Sequence, residues 1–124
     1  MPLILIVDDN VFFRKTLRAI LRASRQSMDI LEAGNGAEAV DAFAESRPDL
    51  VFMDINLPGE NGIKVMEKMK AVSPGTPVII LTGYDTPEYE NAAFASGADH
   101  FLSKRTSTPA KIADVLDEIL SGPI

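Results

Sequence analysis

The sequence predicts an α/β protein, (βα)5, in which a doubly wound parallel sheet carries helices on both faces. Short continuous apolar runs, typical of strands that are buried on both faces, alternate along the chain with longer stretches of helical periodicity. With 124 residues, of which 46% are hydrophobic and 24% charged, the chain has the length and composition of one compact domain, residues 1–124. Right-handed crossovers between parallel strands then place helices on both sides of the sheet.

Five segments are predicted as strands: residues 3–7, 28–33, 50–53, 78–81 and 100–102. The first, third and fourth segments are continuous apolar runs, which indicates central strands that are covered on both faces. The second segment mixes apolar and acidic residues, and the fifth is short. Both therefore suit the edges of the sheet.

Apolar side chains that recur at helical spacing predict four of the five helices. They lie around residues 13–21, 40–44, 63–66 and 112–120. The fourth helix is predicted from its ends, since Thr86-Pro87 supplies an N-cap followed by proline and Gly97 suits a C-cap. Thr108-Pro109 opens the fifth helix in the same way. Before the third helix, Pro58-Gly59 suits the central positions of a type II turn.

Composition excludes several classes of function. The chain contains no cysteine, which excludes disulfides, thiolate nucleophiles and cysteine-ligated metals, and its one histidine, His100, excludes a multi-histidine metal site. A net charge of −6 argues against direct binding to nucleic acid. The apolar run at residues 3–7 is too short for a signal peptide or a membrane span. We expect a cytoplasmic domain that works through carboxylates, amides, hydroxyls and lysines.

Polar residues follow the predicted strands at the carboxyl ends, where ligands bind in such a sheet. Asp8 and Asp9 follow the first strand, Asp54 the third, Thr82 the fourth and Lys104 the fifth. Each residue alone is equally typical of a solvated turn, so it is their convergence that favours a site. Two unit charges about 4 Å apart repel by roughly 4 kcal/mol at an effective dielectric of about 20. Oxygen-bound Mg²⁺ relieves such repulsion, and the cluster therefore suggests Mg²⁺ and phosphoryl chemistry.

Together with the stretch at residues 54–62, DINLPGENG, these residues resemble the receiver domain of two-component response regulators over the whole chain. The resemblance implies a flavodoxin-like sheet with strand order 2-1-3-4-5, which agrees with the two predicted edge strands. It also implies that Asp54 accepts a phosphoryl group from the phosphohistidine of a sensor kinase. Asp9, Asp54 and the backbone carbonyl of Asn56 would ligate Mg²⁺, with Asp8 contributing through water.

The same resemblance assigns roles to residues on the later strands. It implies that Lys104 pairs with the phosphoryl oxygens, and that Thr82 donates a hydrogen bond to one of them. Phe101 would be the aromatic switch residue, whose ring turns inward when Thr82 moves. The chain departs from the family at Arg105, where a proline with a cis peptide bond is usual. Because a cis bond before a non-proline residue costs about 2.5–4 kcal/mol, we predict a trans Lys104–Arg105 bond and a loop at 103–107 that is rearranged or more mobile than in the family.

The first helix carries Arg14, Arg18, Arg22 and Arg25 opposite its apolar face. This stripe is either a solvated helix face or, as the resemblance implies, a docking surface for a sensor histidine kinase or a histidine phosphotransfer protein. In the second interpretation Phe12 provides an apolar contact.

Two other functions remain open at this point. One is a receiver-like interaction module that acts without phosphorylation, which Arg105 alone suggests. The other is a phosphohydrolase with an aspartyl nucleophile, similar to the haloacid dehalogenase-like enzymes, although these need a second acid where this chain has Asn56. The sequence names neither a cognate kinase nor an output target. We expect a stand-alone regulator, because the chain begins at Met1 and ends shortly after the last helix, and a receiver cut from a longer protein is the alternative.

Overall fold

The computed structural model describes residues 1–25 and 27–121, and its central feature is a five-stranded parallel sheet. The sheet strands are β1 (Leu3–Val7), β2 (Asp29–Ala33), β3 (Leu50–Met53), β6 (Val78–Thr82) and β7 (His100–Ser103). A separate two-stranded antiparallel ribbon consists of β4 (Asn56–Leu57) and β5 (Glu60–Asn61). The sheet order is β2-β1-β3-β6-β7, and since the ribbon lies outside the sheet, this is the predicted order 2-1-3-4-5. The prediction of the fold is confirmed.

Five helices cover the two faces of this sheet: α1 (Val11–Ser24), α2 (Gly36–Ser46), α3 (Gly62–Val72), α4 (Pro87–Ala95) and α5 (Pro109–Ser121). Successive strand residues point to opposite faces, so each central strand feeds two cores. On β1, Ile4 and Ile6 pack towards α1 and α5, whereas Leu5 and Val7 pack towards α2, α3 and α4. Burial on both faces explains why the central strands are continuous apolar runs. No helix within residues 1–25 and 27–121 is long and apolar enough to cross a membrane.

Short polar connections set where the helices begin. The side chains of Asn10, Asn35 and Asn61 each accept a backbone hydrogen bond at the N-terminus of α1, α2 and α3. Thr86 occupies the predicted N-cap position of α4, but its side chain makes no capping hydrogen bond there. Gly59 in the ribbon turn has a φ of 73°, as the second central position of a type II turn requires.

Candidate functional site

The predicted site residues lie together at the carboxyl end of the sheet, where backbone hydrogen bonds continue the parallel ladders beyond the strands. The Asp8 amide donates to the Ala33 carbonyl at 3.0 Å, and the Asp54 amide donates to the Val7 carbonyl at 2.9 Å. The amide of Lys104 likewise donates to the carbonyl of Thr82 at 2.9 Å. Because the backbone at each position is held by the neighbouring strand, the side chains project from a rigid edge rather than from free loops.

Three carboxylates form the centre of the site. Asp8, Asp9 and Asp54 each offer an oxygen, and these atoms all lie within 4.8 Å of one another. Asp8 is 2% exposed and Asp54 5% exposed, while Asp9 is open to solvent. Burial raises the pKa of Asp8 above its usual value, although the hydrogen bond from Lys104 acts in the opposite direction. A set of oxygen donors with this much negative charge fits a hard divalent cation such as Mg²⁺.

Lys104 provides the positive charge of the site. Its Nζ lies 2.7 Å from Asp8 Oδ2 and 3.1 Å from Asp54 Oδ2. Burial alone would lower the pKa of Lys104, but the hydrogen bond to Asp8 and the charges of both carboxylates outweigh it and raise the pKa. The ammonium thus compensates two buried carboxylates at once.

The ring of Phe13 gives that ammonium a second neighbour, which the sequence did not reveal. Lys104 Nζ lies 4.1 Å from the centre of the Phe13 ring, within the range of a cation–π interaction. Helical periodicity correctly places Phe13 on the apolar face of α1, where its ring packs against the core beside Leu17. Its position in the first turn of the helix that follows the acidic pair was the available signal.

The two proposed switch residues occupy β6 and β7. Thr82 ends β6 and is fully buried, and its Oγ1 accepts a hydrogen bond from the Tyr84 amide at 3.1 Å. Phe101 lies on β7 opposite Ile80 and packs, half-buried, against the core under α2, α3 and α4. Asn56 is exposed in the ribbon, and its amide donates to Asp54 Oδ1 at 3.4 Å.

A close backbone contact shapes the segment after Asp54. The amide of Gly62 donates to the Ile55 carbonyl at 2.8 Å and draws the start of α3 against the segment that follows β3. A Cβ atom at Gly62 would lie 1.9 Å from the carbonyl oxygen of Asp54, closer than any real Cβ contact. The last glycine of DINLPGENG is therefore required by packing, a role that the motif alone did not reveal.

The arginines of α1 are engaged within the chain. Arg14 Nη1 donates to the Asp8 carbonyl at 2.5 Å, and Arg14 Nε donates to Glu32 at 2.9 Å. Arg18 lies 3.7 Å from the same glutamate, and Arg22 donates to the Met28 carbonyl at 2.5 Å. Arg14 and Arg22 thus tie α1 to the ends of β1 and β2, so these two members of the stripe are not simply solvated.

The peptide bond between Lys104 and Arg105 is trans, because residues 1–25 and 27–121 contain no cis peptide bond. This part of the loop prediction is confirmed. The Arg105 side chain turns towards the β6–α4 loop, where it pairs with Asp85 at 2.9 Å. The two loops that follow β6 and β7 are therefore in contact at the site.

Comparison with known proteins agrees with this geometry. Residues 4–117 match the response regulator receiver domain, and the chain belongs to that family. The chain is 36% identical to the chemotaxis protein CheY of Halobacterium salinarum over 119 residues, which cover 96% of this chain and 97% of that protein. It is 34% identical to the probable transcriptional regulatory protein TcrX of Mycobacterium tuberculosis over 101 residues, 82% of this chain but only 42% of that protein.

Solved structures share the fold. A CheY-like receiver domain protein from Methanospirillum hungatei superposes with a TM-score of 0.89 at 26% identity, over 98% of this chain and 94% of the other. Proteins of this class are signalling proteins of two-component systems rather than turnover enzymes, and their receiver domains interact with histidine kinases and bind Mg²⁺ through an acidic pocket.

Proposed function

We propose that residues 1–124 act as one phosphoacceptor unit in the cytoplasm, taking a phosphoryl group from a sensor kinase phosphohistidine onto Asp54 and thereby changing partners. The observation that carries this proposal is the sharing of a single ammonium, that of Lys104, between two buried carboxylates, Asp8 and Asp54. A purely structural ion pair needs one acid for one base. A second buried carboxylate, with Asp9 beside it, is instead suited to binding a cation and a phosphoryl group.

The acidic cluster would hold Mg²⁺. Asp8, Asp9 and Asp54 supply carboxylate oxygens that lie close together, and the backbone carbonyl of Asn56 completes the proposed ligand set. When bound, the cation neutralises negative charge on the carboxylates and on the phosphoryl group.

The residues of the chain then perform the transfer. A carboxylate oxygen of Asp54 forms the new bond to phosphorus as the bond between phosphorus and the histidine nitrogen breaks, and the leaving nitrogen keeps the electron pair. Lys104 Nζ, 3.1 Å from the Asp54 carboxylate, is placed to donate to the phosphoryl oxygens without a large movement. Positioning and charge compensation of this kind supply most of the catalysis of phosphoryl transfer.

The response to phosphorylation would involve Thr82 and Phe101. The Thr82 hydroxyl now accepts the Tyr84 amide, and turning it towards a phosphoryl oxygen displaces the loop that carries this amide. Phe101, half-buried on the adjacent strand, would follow by turning further inward. The surface formed by the β6–α4 loop and β7 would thus change when Asp54 is phosphorylated.

Intact-mass spectrometry after incubation with a small-molecule phosphodonor tests this function. We expect the gain of one phosphoryl group only when Mg²⁺ is present, and no gain in Asp54→Ala. Asp41→Ala, which removes an exposed acid on α2, is the matched control and should be modified like the wild type. A folded wild-type protein that takes up no phosphoryl group would instead support the interaction module that acts without phosphorylation.

The phosphohydrolase alternative has less support. The position two residues after Asp54 holds an exposed asparagine rather than an acid that could protonate a leaving group. Steady turnover of a generic phosphomonoester would revive this alternative.

Phe12 offers a test of docking by the kinase or by a histidine phosphotransfer protein. Its side chain is 79% exposed on α1 beside the site, so its replacement by alanine should leave the fold intact. We expect Phe12→Ala to slow transfer from the protein donor by about tenfold, as for an exposed apolar anchor, without changing uptake from the small-molecule donor. If Phe12→Ala left the rate of transfer from the protein donor unchanged, or slowed transfer from both donors equally, Phe12 would not belong to the docking surface. Val72→Ala, which removes an apolar side chain that is 60% exposed on α3, is the control.

A further inference from the structure

Three polar side chains join the loops that follow β6 and β7. The guanidinium of Arg105 donates hydrogen bonds to the carboxylate of Asp85. Its Nη2 lies 2.9 Å from both Oδ1 and Oδ2, and its Nε lies 3.1 Å from Oδ2. The hydroxyl of Ser103 donates to the same carboxylate at 2.5 Å. Asp85 therefore receives donors from Ser103, the last residue of β7, and from Arg105 in the loop that follows it.

The backbone of Arg105 completes this cluster. Its amide donates to Ser103 Oγ at 3.1 Å, so the serine hydroxyl accepts from Arg105 while it donates to Asp85. A proline at position 105 has neither the amide hydrogen nor the guanidinium, so it could donate neither to Ser103 Oγ nor to the Asp85 carboxylate. The arrangement therefore depends on the residue that this chain has at position 105.

The cluster lies next to the two residues that would bind the phosphoryl group. Lys104 lies between Ser103 and Arg105, and Thr82 lies three residues before Asp85. Inside the cluster, the Lys104 amide donates to the Thr82 carbonyl, and the Tyr84 amide donates to Thr82 Oγ1. A displacement of either loop is thereby passed to the other through Asp85.

We propose that Asp85, Ser103 and Arg105 are positioning residues. They form a latch that couples the two loops and thereby fixes the position of Thr82 relative to Lys104. The effect of this latch on phosphoryl acceptance rests on the proposed function, whereas the coupling itself does not.

The geometry of the latch distinguishes it from an ordinary surface ion pair. The Arg105 side chain is 71% exposed, and isolated exposed pairs contribute little. The Asp85 side chain, however, is only 15% exposed and is held by a two-pronged guanidinium contact together with a hydroxyl. These donors also hold the pKa of Asp85 below its usual value, so its carboxylate stays ionised at neutral pH.

Amide hydrogen exchange measured by NMR tests the coupling without any phosphodonor. We expect Arg105→Gln to speed exchange of the Tyr84 amide, and Asp85→Asn to speed exchange of the Lys104 amide, each by about fivefold. The double variant should exchange no faster than either single variant, since both remove one shared interaction. Lys68→Gln removes an exposed pair with Glu60 and is the matched control, with no change at either amide. Faster exchange confined to the mutated loop, or additive effects in the double variant, would overturn the proposal.

The initial rate of phosphoryl uptake from a small-molecule donor tests the consequence. We expect Asp85→Asn, Arg105→Gln and the double variant all to be slowed by about fivefold, with the midpoint of thermal unfolding unchanged. Unchanged rates in all three variants would show that the latch does not position the site. If the wild type itself takes up no phosphoryl group, the proposed function fails, while the exchange experiment still decides whether the loops are coupled.

Discussion

Gly62→Ala is expected to destabilise the protein by about 3 kcal/mol or more, because the added methyl group has no space. Its Cβ would lie 1.9 Å from the Asp54 carbonyl oxygen and 2.8 Å from the carbonyl carbon, both backbone atoms that cannot move aside by a rotamer change. Relief requires the start of α3 to move away from the end of β3, and this would also misplace Asp54. Urea unfolding followed by circular dichroism measures the change in free energy of unfolding.

Two glycines provide controls for this prediction. A Cβ atom at Gly75 or at Gly83 meets no atom within 4 Å, and neither residue has a positive φ. Alanine at either position should change the free energy of unfolding by no more than about 0.5 kcal/mol. If Gly62→Ala changed the free energy of unfolding as little as these controls, the contact between α3 and Asp54 would not constrain the end of β3.

Lys104→Ala is expected to reduce the free energy of unfolding by about 3 kcal/mol at neutral pH in buffer without divalent cations. The change leaves the carboxylates of Asp8 and Asp54, with side chains 3% and 6% exposed, buried beside each other without their shared counter-charge. Lys68→Ala is the control, since it breaks an exposed pair with Glu60 and should cost about 1 kcal/mol or less. If Lys104→Ala lowered the free energy of unfolding by no more than this control, charge compensation by Lys104 would not stabilise the pocket.

The difference in free energy of unfolding between the wild type and Lys104→Ala depends on pH, with a definite sign on each side of neutrality. The pKa of Lys104 is raised by its carboxylate partners, so its stabilisation of the folded state is fully present below the usual lysine pKa. That stabilisation is lost as the pH rises through the raised value. On the acid side burial raises the pKa of Asp8, so protonation of Asp8 as the pH falls removes a buried negative charge and the variant recovers stability. Unfolding curves of both proteins from acidic to alkaline pH should therefore differ most near neutrality.

The fold was predictable because its signals are local. Runs such as residues 50–53 are typical of strands covered on both faces, and the mixed character of residues 28–33 indicates an edge strand. The convergence of Asp8, Asp54 and Lys104 followed from topology alone, since the carboxyl ends of parallel strands share one edge of the sheet.

Contacts between segments far apart in sequence were not predictable. The position of the Phe13 ring over Lys104 depends on how α1 is set against β7, and the pairing of Arg105 with Asp85 depends on the path of two loops. Nothing in the spacing of the α1 arginines indicates Glu32, whose carboxylate approaches Arg14 from β2. Periodicity assigns a face of a helix, but it does not identify which side chain of a neighbouring strand meets that face.

Locating the phosphoryl group along the chain identifies the residue that accepts it. After reaction with a small-molecule donor and Mg²⁺, borohydride reduction converts a phosphorylated aspartate to homoserine, and peptide mass spectrometry then reads its position. We expect homoserine at position 54 and unmodified aspartate at Asp8 and Asp9, which lie in the same cluster. Homoserine at position 8 or 9, or phosphate retained on a serine, threonine or histidine, would contradict this expectation.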